Sequence, residues 1–243
     1  MKKVSFINDP YPLWVIDNFL DDDEALKAIK NWPSHSESWH TGHKSIKGKI
    51  NILEHGMRFL NKDFTPDYYL DLIYKMNSAE TLSYYEKLTG IKGLIADEAF
   101  RWSGLRELIP GGYQLIHSDA RQHPETGYTK TLTHLLYLND TNYEKEKHEG
   151  CLEIWSDDMS KRCHEIEPLH NRMVIFLNSP TSYHGVPKNN IHRKIITFST
   201  ITSAKTHERS KALFVARKGI DSPEIEEIGK QRADVEDRIN KIN

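Results

Sequence analysis

The sequence predicts a mainly β protein with flanking helices, whose core is a double-stranded β-helix, or jelly roll, over residues 94–205. In that region, short stretches of β-forming residues recur at fairly regular spacing and are separated by turn signals, a pattern typical of a double-sheet roll. Helical periodicity is confined to the flanking parts of the chain. We therefore expect a support region of strand and helices over residues 1–93, packed on the core, and a helical tail over residues 206–243.

The composition is that of an ordinary folded protein. Of the 243 residues, 37% are hydrophobic and 28% are charged, and the net charge is −2. Charges of both signs are interspersed, which argues against nucleic acid as a partner. The basic start is interrupted at Asn8-Asp9-Pro10 and no apolar run is long enough to cross a bilayer, so neither a secretory signal nor a membrane partner is expected. Two cysteines, Cys151 and Cys163, make no disulfide framework, which favours a cytoplasmic protein.

Two helices are predicted before the core. After a short strand around Trp14, the first helix runs from Asp22 to Asn31, with an aspartate at its start and Pro33 after its end. The second begins at Thr65-Pro66-Asp67, a strong helix-start signal, and its apolar stripe continues to Gly90. Because this stripe is rich in aromatic residues, we expect the helix to pack on the outside of a sheet.

The segment between these helices, residues 34–63, is polar and contains four histidines, His35, His40, His43 and His55. Their spacings fit no fixed ligand pattern, and no cysteine or carboxylate cluster joins them. A surface loop is therefore the simpler interpretation. A loop of this length in a compact domain is often functional, so a substrate lid is the alternative.

The jelly-roll core is predicted from eight β-forming segments. These cover residues 94–102, 113–117, 131–139, 151–155, 163–168, 172–178, the segment around His184, and residues 193–203. A charged hairpin is expected over residues 140–150. In the tail, Ser222-Pro223-Glu224 signals a helix start, and an aliphatic edge follows that either packs on the barrel or pairs with a second copy, as in a homodimer.

Three residues in this core form a candidate metal site. His117 and Asp119 lie two positions apart at the end of a strand, so their side chains point to the same side. A second histidine, His184, follows a proline-containing turn much later in the chain. Two histidines and one carboxylate on one face of a metal are the ligands of non-haem Fe(II) oxygenases, which leave the other positions open.

Arg193 is the candidate for holding a cosubstrate. It comes nine positions after His184 and opens a strand rich in β-branched residues. A guanidinium binds a carboxylate in a planar, two-pronged geometry, as the far end of a dicarboxylic 2-oxo acid would require. Strand alternation places Thr197 on the same face as Arg193, and Tyr137 on an inward face of the earlier strand.

In these residues the chain resembles the Fe(II)/2-oxoglutarate-dependent oxygenase superfamily, and within it the prolyl 4-hydroxylase-like group. The resemblance extends over about residues 94–203 and is carried by His117-Ser118-Asp119, Leu135-Leu136-Tyr137-Leu138-Asn139, Gly150-Cys151-Leu152-Glu153-Ile154, Glu165-Ile166-Glu167-Pro168, His184-Gly185-Val186 and Arg193-Lys194-Ile195-Ile196-Thr197. It implies that His117, Asp119 and His184 bind iron and that Arg193 binds the C5 carboxylate of 2-oxoglutarate, assisted by Tyr137 and Thr197. One departure is Ile109, where the family commonly has a tyrosine that contacts the cosubstrate.

The resemblance also implies an activity. The expected enzyme is a dioxygenase that uses Fe(II), 2-oxoglutarate and O₂, with ascorbate as a further candidate cofactor, and hydroxylates a C–H bond with release of succinate and CO₂. The carboxylate of Asp119 fits hydroxylation, whereas glycine or alanine there is associated with halogenation. The expected substrate is a peptidyl proline, an amino acid or another small molecule. Candidates for lining its pocket are Trp102, Arg121, Trp155 and residues 34–63.

Two other functions stay open at this point. A cupin-like metal-dependent isomerase or epimerase would use no 2-oxoglutarate and would carry a closely spaced histidine pair with a glutamate on one strand, whereas this chain has His117-Ser118-Asp119. A non-catalytic binding relative would be expected to lack a ligand or the arginine, and all four residues are present.

Overall fold

The computed structural model describes residues 2–34, 40–41, 54–56, 65–139, 142–205 and 214–230. The strands are β1 (Lys3–Ile7), β2 (Leu13–Asp17), β3 (His40–Thr41), β4 (Glu54–Gly56), β5 (Ile95–Ala96), β6 (Gly104–Leu108), β7 (Gln114–His117), β8 (Tyr128–Tyr137), β9 (Leu152–Trp155), β10 (Arg162–Ile166), β11 (Arg172–Leu177), β12 (His184–Val186) and β13 (Arg193–Lys205). The helices are α1 (Asp22–Lys30), α2 (Asp67–Met76), α3 (Ala79–Thr89) and α4 (Lys145–His148), and residues 223–230 are also helical.

The strands form two antiparallel sheets. The larger sheet has the order β1-β2-β11-β8-β13-β6-β4-β3, and β5 pairs with β13 beside this path. The smaller sheet has the order β10-β9-β12-β7. Because strands distant in sequence are neighbours in both sheets, the chain closes into the jelly roll that the strand spacing predicts, and the predicted fold class is confirmed.

An apolar layer between the two sheets forms the inner core. It includes Leu135 and Ile195 from the larger sheet and Leu152, Ile154 and Ile166 from the smaller one. All five are nearly or fully inaccessible to solvent. Burying a side chain of this size contributes about 1.5–3 kcal/mol, so this layer holds the sheets face to face and fixes the walls of the cavity between them.

A second apolar layer covers the outer face of the larger sheet. Alternate residues of β8, Leu132 and Leu136, pack there against residues of α2 and α3 such as Tyr69, Ile73 and Tyr85. The inward residues of the same strand face the cavity, as period-two alternation requires. The helical layer therefore supports the sheet from outside without closing the site.

The predicted second helix is two helices in the structure. α2 ends at Met76, where the Asn77 side-chain amide donates to the Ile73 carbonyl at 3.0 Å, and the Ser78 hydroxyl accepts from the Thr81 N–H to start α3. Polar side chains that bond the backbone locally interrupt a helix in this way. The start lies one residue later than predicted, with Pro66 at the N-cap, and Gly90 ends α3 as predicted.

The predicted strand over residues 94–102 is wrong. Only Ile95–Ala96 pair as a strand, and the next strand, β6, lies at Gly104–Leu108. Between them, the Asp97 carbonyl accepts from the Phe100 N–H at 3.0 Å and the Asp97 carboxylate accepts from the Trp102 N–H at 3.3 Å. These local bonds turn the chain, and Phe100 adopts a positive φ of 53° that a strand does not allow.

The predicted surface loop over residues 34–63 contains two short strands. β3 and β4 pair with each other, and β4 pairs with β6 at the end of the larger sheet. The rest of this segment after residue 34 lies outside the described residues, and so do the side chains of its four histidines. The alternative of a substrate lid therefore stays a prediction.

Two smaller predictions concern the charged hairpin and the cysteines. The hairpin over residues 140–150 contains the short helix α4. Cys151 and Cys163 carry free thiols. Among the residues that the structure describes, none of the helices has the length and apolarity that a membrane crossing needs.

Candidate active site

The two candidate histidine ligands are direct neighbours across the smaller sheet. In the antiparallel pairing of β12 with β7, His184 lies opposite His117. Residues opposite each other in such a pair lie on the same face, so the two imidazoles lie side by side, with ring centroids 4.4 Å apart. The pairing register therefore joins two residues that are far apart in sequence.

Backbone carbonyls fix the orientation of both imidazoles. The Nδ1 atom of His117 lies 2.8 Å from the Leu115 carbonyl oxygen, and that of His184 lies 3.0 Å from the Ser182 carbonyl oxygen. A carbonyl oxygen only accepts, so both Nδ1 atoms carry the proton and both Nε2 atoms present a lone pair. The Gln114 amide nitrogen, 3.1 Å from Nε2 of His117, donates to that lone pair, and a metal ion bound there would displace this donor. Neutral imidazoles held in this way are ready metal ligands.

Asp119 completes the group. Its Oδ1 atom lies 3.7 Å from Nε2 of His117 and 3.9 Å from Nε2 of His184. One ligand atom from each of the three residues lies within 4.8 Å of the others. The second oxygen, Oδ2, accepts from the Lys130 ammonium at 2.7 Å and from the Thr133 hydroxyl at 2.9 Å. The carboxylate thus turns one oxygen towards the imidazoles while the other is held in place.

The charge states of these groups suit metal binding. Burial acts to raise the pKa of Asp119, but the Lys130 ammonium, followed by His184 and His117, outweighs it, so this pKa lies well below its usual value. Burial lowers the pKa of His184, and the Asp119 carboxylate offsets only part of that effect. At neutral pH the site therefore presents an ionised carboxylate and a neutral His184 imidazole.

Arg193 is buried in the same cavity. Its side chain is 1% exposed, its Nη2 donates to the Tyr137 hydroxyl at 3.0 Å, and its Nε has no hydrogen-bond partner in the described part of the chain. Among the residues that the structure describes, no carboxylate lies within ion-pair distance of this guanidinium. A buried cation without an acidic partner is costly, and a bound anion would remove that cost. Burial raises the pKa of Tyr137, an effect that Arg193 offsets in part, so the phenol keeps its proton at neutral pH.

The cavity brings most of the predicted residues together. Asp119, His184, Arg193, Thr197 and Trp102 all line it. Tyr137 reaches it through its bond to Arg193, and His117 through its place beside His184. Trp155 lies elsewhere, in a small apolar cluster with Ile116 and Tyr183, where its indole donates to the Glu153 carboxylate. Arg121 is not among the described residues that line the cavity.

Lys130 is a site residue that strand alternation misses. Counted by twos from Tyr137, Lys130 belongs to the outward face of β8, with Leu132 and Leu136. The pairing with β13 shifts, however: Leu132 lies opposite Thr200, and Lys130 lies opposite Ile201. An advance of two residues along β8 thus corresponds to an advance of one residue along β13. The extra residue, Thr131, forms a β-bulge, and the bulge turns the Lys130 side chain inwards. No turn residue or glycine in the sequence signals this bulge.

A buried polar pair positions Trp102 at the cavity wall. The Asp97 carboxylate accepts from the Trp102 N–H and lies 3.2 Å from Nε2 of His123. The His123 ring meets the Trp102 indole edge-on at 5.3 Å, and the Lys130 ammonium lies 5.4 Å from the indole centroid. The turn that overturns the predicted strand therefore delivers an aromatic side chain to the site.

The residues present fit a non-haem Fe(II) ion and a dicarboxylic cosubstrate. Two imidazole nitrogens and one carboxylate oxygen form a facial donor set, which favours iron of this type. The buried guanidinium of Arg193 and the hydroxyls of Tyr137 and Thr197 fit a carboxylate deeper in the cavity. Both halves of the site lie between the same two sheets.

Comparisons with known proteins find a matching family model and structures of similar fold. Residues 105–199 match the family model of the 2OG-Fe(II) oxygenase superfamily. No curated protein sequence matches the chain. Among solved structures, a prolyl-4-hydroxylase from Pseudomonas putida is similar with a TM-score of 0.55 at 16% identity, covering 78% of this chain and 92% of that one.

Two further solved structures are similar over most of their length. A prolyl hydroxylase from Trichoplax adhaerens, in complex with a hypoxia inducible factor oxygen degradation domain peptide fragment, has a TM-score of 0.50 at 17% identity and covers 78% of this chain and 83% of that one. The viral collagen prolyl hydroxylase from Paramecium Bursaria Chlorella virus-1, in complex with 2OG, has a TM-score of 0.50 at 15% identity. The similarity covers 81% of this chain and 98% of that one. Over residues 105–199 the chain therefore resembles the 2OG-Fe(II) oxygenase superfamily, whose members use Fe(II), 2-oxoglutarate and O₂, and it shares the jelly-roll fold of these solved structures.

Proposed function

We propose that this protein is an Fe(II)- and 2-oxoglutarate-dependent dioxygenase that hydroxylates a C–H bond of a peptidyl proline, an amino acid or another small molecule, with release of succinate and CO₂. The observation that carries the proposal is the pairing of two features in one cavity. A trio of donors, His117, Asp119 and His184, faces the same space as a buried arginine that has no acidic partner among the described residues. An isomerase of the cupin type has no need for that arginine.

We assign the three donors to iron. His117 and His184 would bind through Nε2, because their Nδ1 protons are engaged by carbonyl oxygens. Asp119 would bind through Oδ1, because Lys130 and Thr133 hold Oδ2. When bound, iron with 2-oxoglutarate supplies the oxygen activation and the C–H oxidation, and the protein supplies orientation and exclusion of side reactions.

Arg193 is assigned to the C5 carboxylate of 2-oxoglutarate. Its guanidinium donates up to two parallel hydrogen bonds to a carboxylate, and the Tyr137 hydroxyl beside it adds a third donor. The Thr197 hydroxyl lies on the same face of β13. Apolar side chains of Leu135, Leu152 and Ile195 line the cavity around these groups and limit the access of water.

The remaining lining bears on the substrate. Trp102 and Arg106 line the cavity and have no part in the assignments above. We infer that the Trp102 indole provides an apolar wall for the substrate. Prolyl hydroxylase neighbours support a peptide as one candidate, and the substrate itself stays a proposal. The cytoplasmic location and a homodimer likewise stay predictions.

The test of the proposal is turnover of the cosubstrate. Purified protein is supplied with Fe(II), ascorbate, O₂ and labelled 2-oxoglutarate, and succinate and CO₂ are measured with and without panels of prolyl peptides and free amino acids. We expect turnover that His184→Ala abolishes. His148→Ala, which removes an imidazole on α4 outside the cavity, is the matched control and should leave turnover unchanged. Absence of turnover above the His184→Ala background across all candidates would reject the enzyme.

A further inference from the structure

Residues 214–230, here called the C-terminal segment, lie beyond the part of the chain that matches the family model, and yet they contact the strands that carry the histidines. Val215 forms an isolated antiparallel bridge with Ile116 of β7. Both backbone hydrogen bonds of this bridge are present, Ile116 N–H to the Val215 oxygen at 3.0 Å and Val215 N–H to the Ile116 oxygen at 2.9 Å. The segment thus covers the outer edge of the smaller sheet, beside His117.

Phe214 lies directly against the ligand imidazole. Its ring is stacked on that of His117, with centroids 5.4 Å apart and planes inclined by 19°. The Phe214 side chain is buried and packs in a small cluster with Tyr113, Leu115 and Ile225. His117 is therefore confined by His184 on one side, by Phe214 through its ring face, and by the Leu115 carbonyl at Nδ1.

Arg217 anchors the segment to the sheet. It is fully buried, its Nε donates to the Glu153 carboxylate of β9, and its Nη2 donates to the Gln114 carbonyl of β7 at 2.9 Å. Its Nη1 also donates to Asp221 at 3.2 Å. Separating the partners of a buried ion pair leaves an uncompensated buried charge, which is strongly unfavourable. The pair between Arg217 and Glu153 therefore holds the C-terminal segment against the smaller sheet.

Two glycines make room for this arrangement. A Cβ atom at Gly185, next to the ligand His184, would lie 2.8 Å from Nη2 of Arg217. A Cβ atom at Gly229 would lie 3.1 Å from the Phe214 carbonyl oxygen. The glycine that follows the second histidine thus admits the guanidinium between the sheet and the C-terminal segment.

We propose that the C-terminal segment is part of the metal site, with Phe214 as a positioning residue that fixes the His117 ring and Arg217 as its anchor. This inference rests on the assignment of His117, Asp119 and His184 as metal ligands. A ring that is held before the metal arrives loses less conformational freedom on binding, so removal of Phe214 weakens metal affinity beyond its effect on folding.

The experiment compares two equivalent substitutions. Phe214→Leu keeps an apolar side chain but removes the flat ring from His117. Phe19→Leu removes a ring of similar burial from the helical core, away from the site, and is the matched control. Each metal-free protein is titrated with Co(II) and the visible absorption of the bound ion is followed, while urea unfolding measures stability.

We expect both variants to lose stability by similar amounts, and only Phe214→Leu to raise the Co(II) dissociation constant, by about tenfold, as loss of a group that orients a metal ligand does. Equal Co(II) affinity for Phe214→Leu and wild type would overturn the inference, and so would an equal loss of affinity in Phe19→Leu. Failure of the ligand assignment looks different. In that case the single variant His184→Ala binds Co(II) as tightly as wild type does. Both the proposed metal site and this inference are then rejected.

Discussion

Replacement of Arg193 by methionine should separate two effects of this side chain. One is the destabilisation that its buried charge causes in the protein without cosubstrate, and the other is its contribution to the binding of 2-oxoglutarate. The guanidinium is 1% exposed, and its hydrogen bond within the described part of the chain goes to a neutral phenol, Tyr137. Methionine fills a similar volume without charge. We expect the metal-free, cosubstrate-free variant to be at least as stable as wild type, because a buried charge without an ionised partner carries a desolvation cost that methionine does not have.

The response to 2-oxoglutarate should change in the opposite direction. Loss of one partner from a buried charge pair typically costs about 3–5 kcal/mol, or roughly 150-fold to 5,000-fold in the dissociation constant. At a concentration about 100 times the wild-type dissociation constant, cosubstrate stabilises wild type by about 2.7 kcal/mol, and the variant by less than about 0.5 kcal/mol. For a protein of this size the wild-type gain corresponds to a rise in melting temperature of about 5–11 °C.

Thermal unfolding with Mn(II) in place of iron, with and without 2-oxoglutarate, measures both effects without turnover. Tyr137→Phe is the graded control, since it removes one neutral donor and should weaken cosubstrate binding only about fivefold. Two results would refute the reasoning. One is an Arg193→Met protein that 2-oxoglutarate still stabilises as it does wild type, and the other is a variant that loses metal affinity as strongly as cosubstrate affinity.

Three other perturbations follow from the same geometry. Asp119→Ala should abolish hydroxylation and weaken Fe(II) binding, and retained formation of the hydroxylated product would contradict the ligand assignment. Lys130→Met should lower the free energy of unfolding of the metal-free protein by about 1–3 kcal/mol, as measured by urea titration. This is less than for a fully buried ion pair, because 21% of the Asp119 side chain is exposed. The control, Lys145→Met, breaks a surface ion pair and should cost under about 1 kcal/mol. Burial lowers the pKa of His134 to about 3 from its ordinary 6.5, so the unfolded chain binds a proton at this residue more readily than the folded protein does. The stability that the neutral imidazole contributes is therefore full above about pH 6.5 and is lost as the pH falls towards 3. At about pH 5 this loss is about 2 kcal/mol. In His134→Leu, the difference between the unfolding free energies at about pH 7 and about pH 5 should be smaller than in wild type by that amount. A variant with the same difference as wild type would contradict this role of His134.

The candidate site was largely predictable because its elements carry local signals. His117 ends a strand, His184 follows a turn and Arg193 opens a strand, and each signal depends on residues close in sequence. Alternation then placed Thr197 and Tyr137 towards the cavity, where the structure has Thr197 on the wall and Tyr137 bonded to Arg193. Period-two geometry is reliable in strands that pair without interruption.

Predictions failed where local polar bonds or irregular pairing outweighed the pattern. Asp97 bonds the backbone of its own turn and ends a β-forming stretch early. Asn77 and Ser78 divide an apolar stripe into two helices. The bulge at Thr131 turns Lys130 inwards against the count from Tyr137. In each case the deciding interaction competes with the regular ladder and leaves the hydrophobic period almost unchanged.

The sequence by itself determined the fold class and predicted the residues of the candidate donor set and the arginine, because strand spacing, alternation and ligand chemistry are local properties of the chain. Only the tertiary structure decided how these groups are held. The cross-strand pairing of His117 with His184, the ion pair between Lys130 and Asp119, and the ring of Phe214 on His117 join residues from different elements. Such contacts depend on pairing register and on the closing of the two sheets, which no short stretch of the chain specifies.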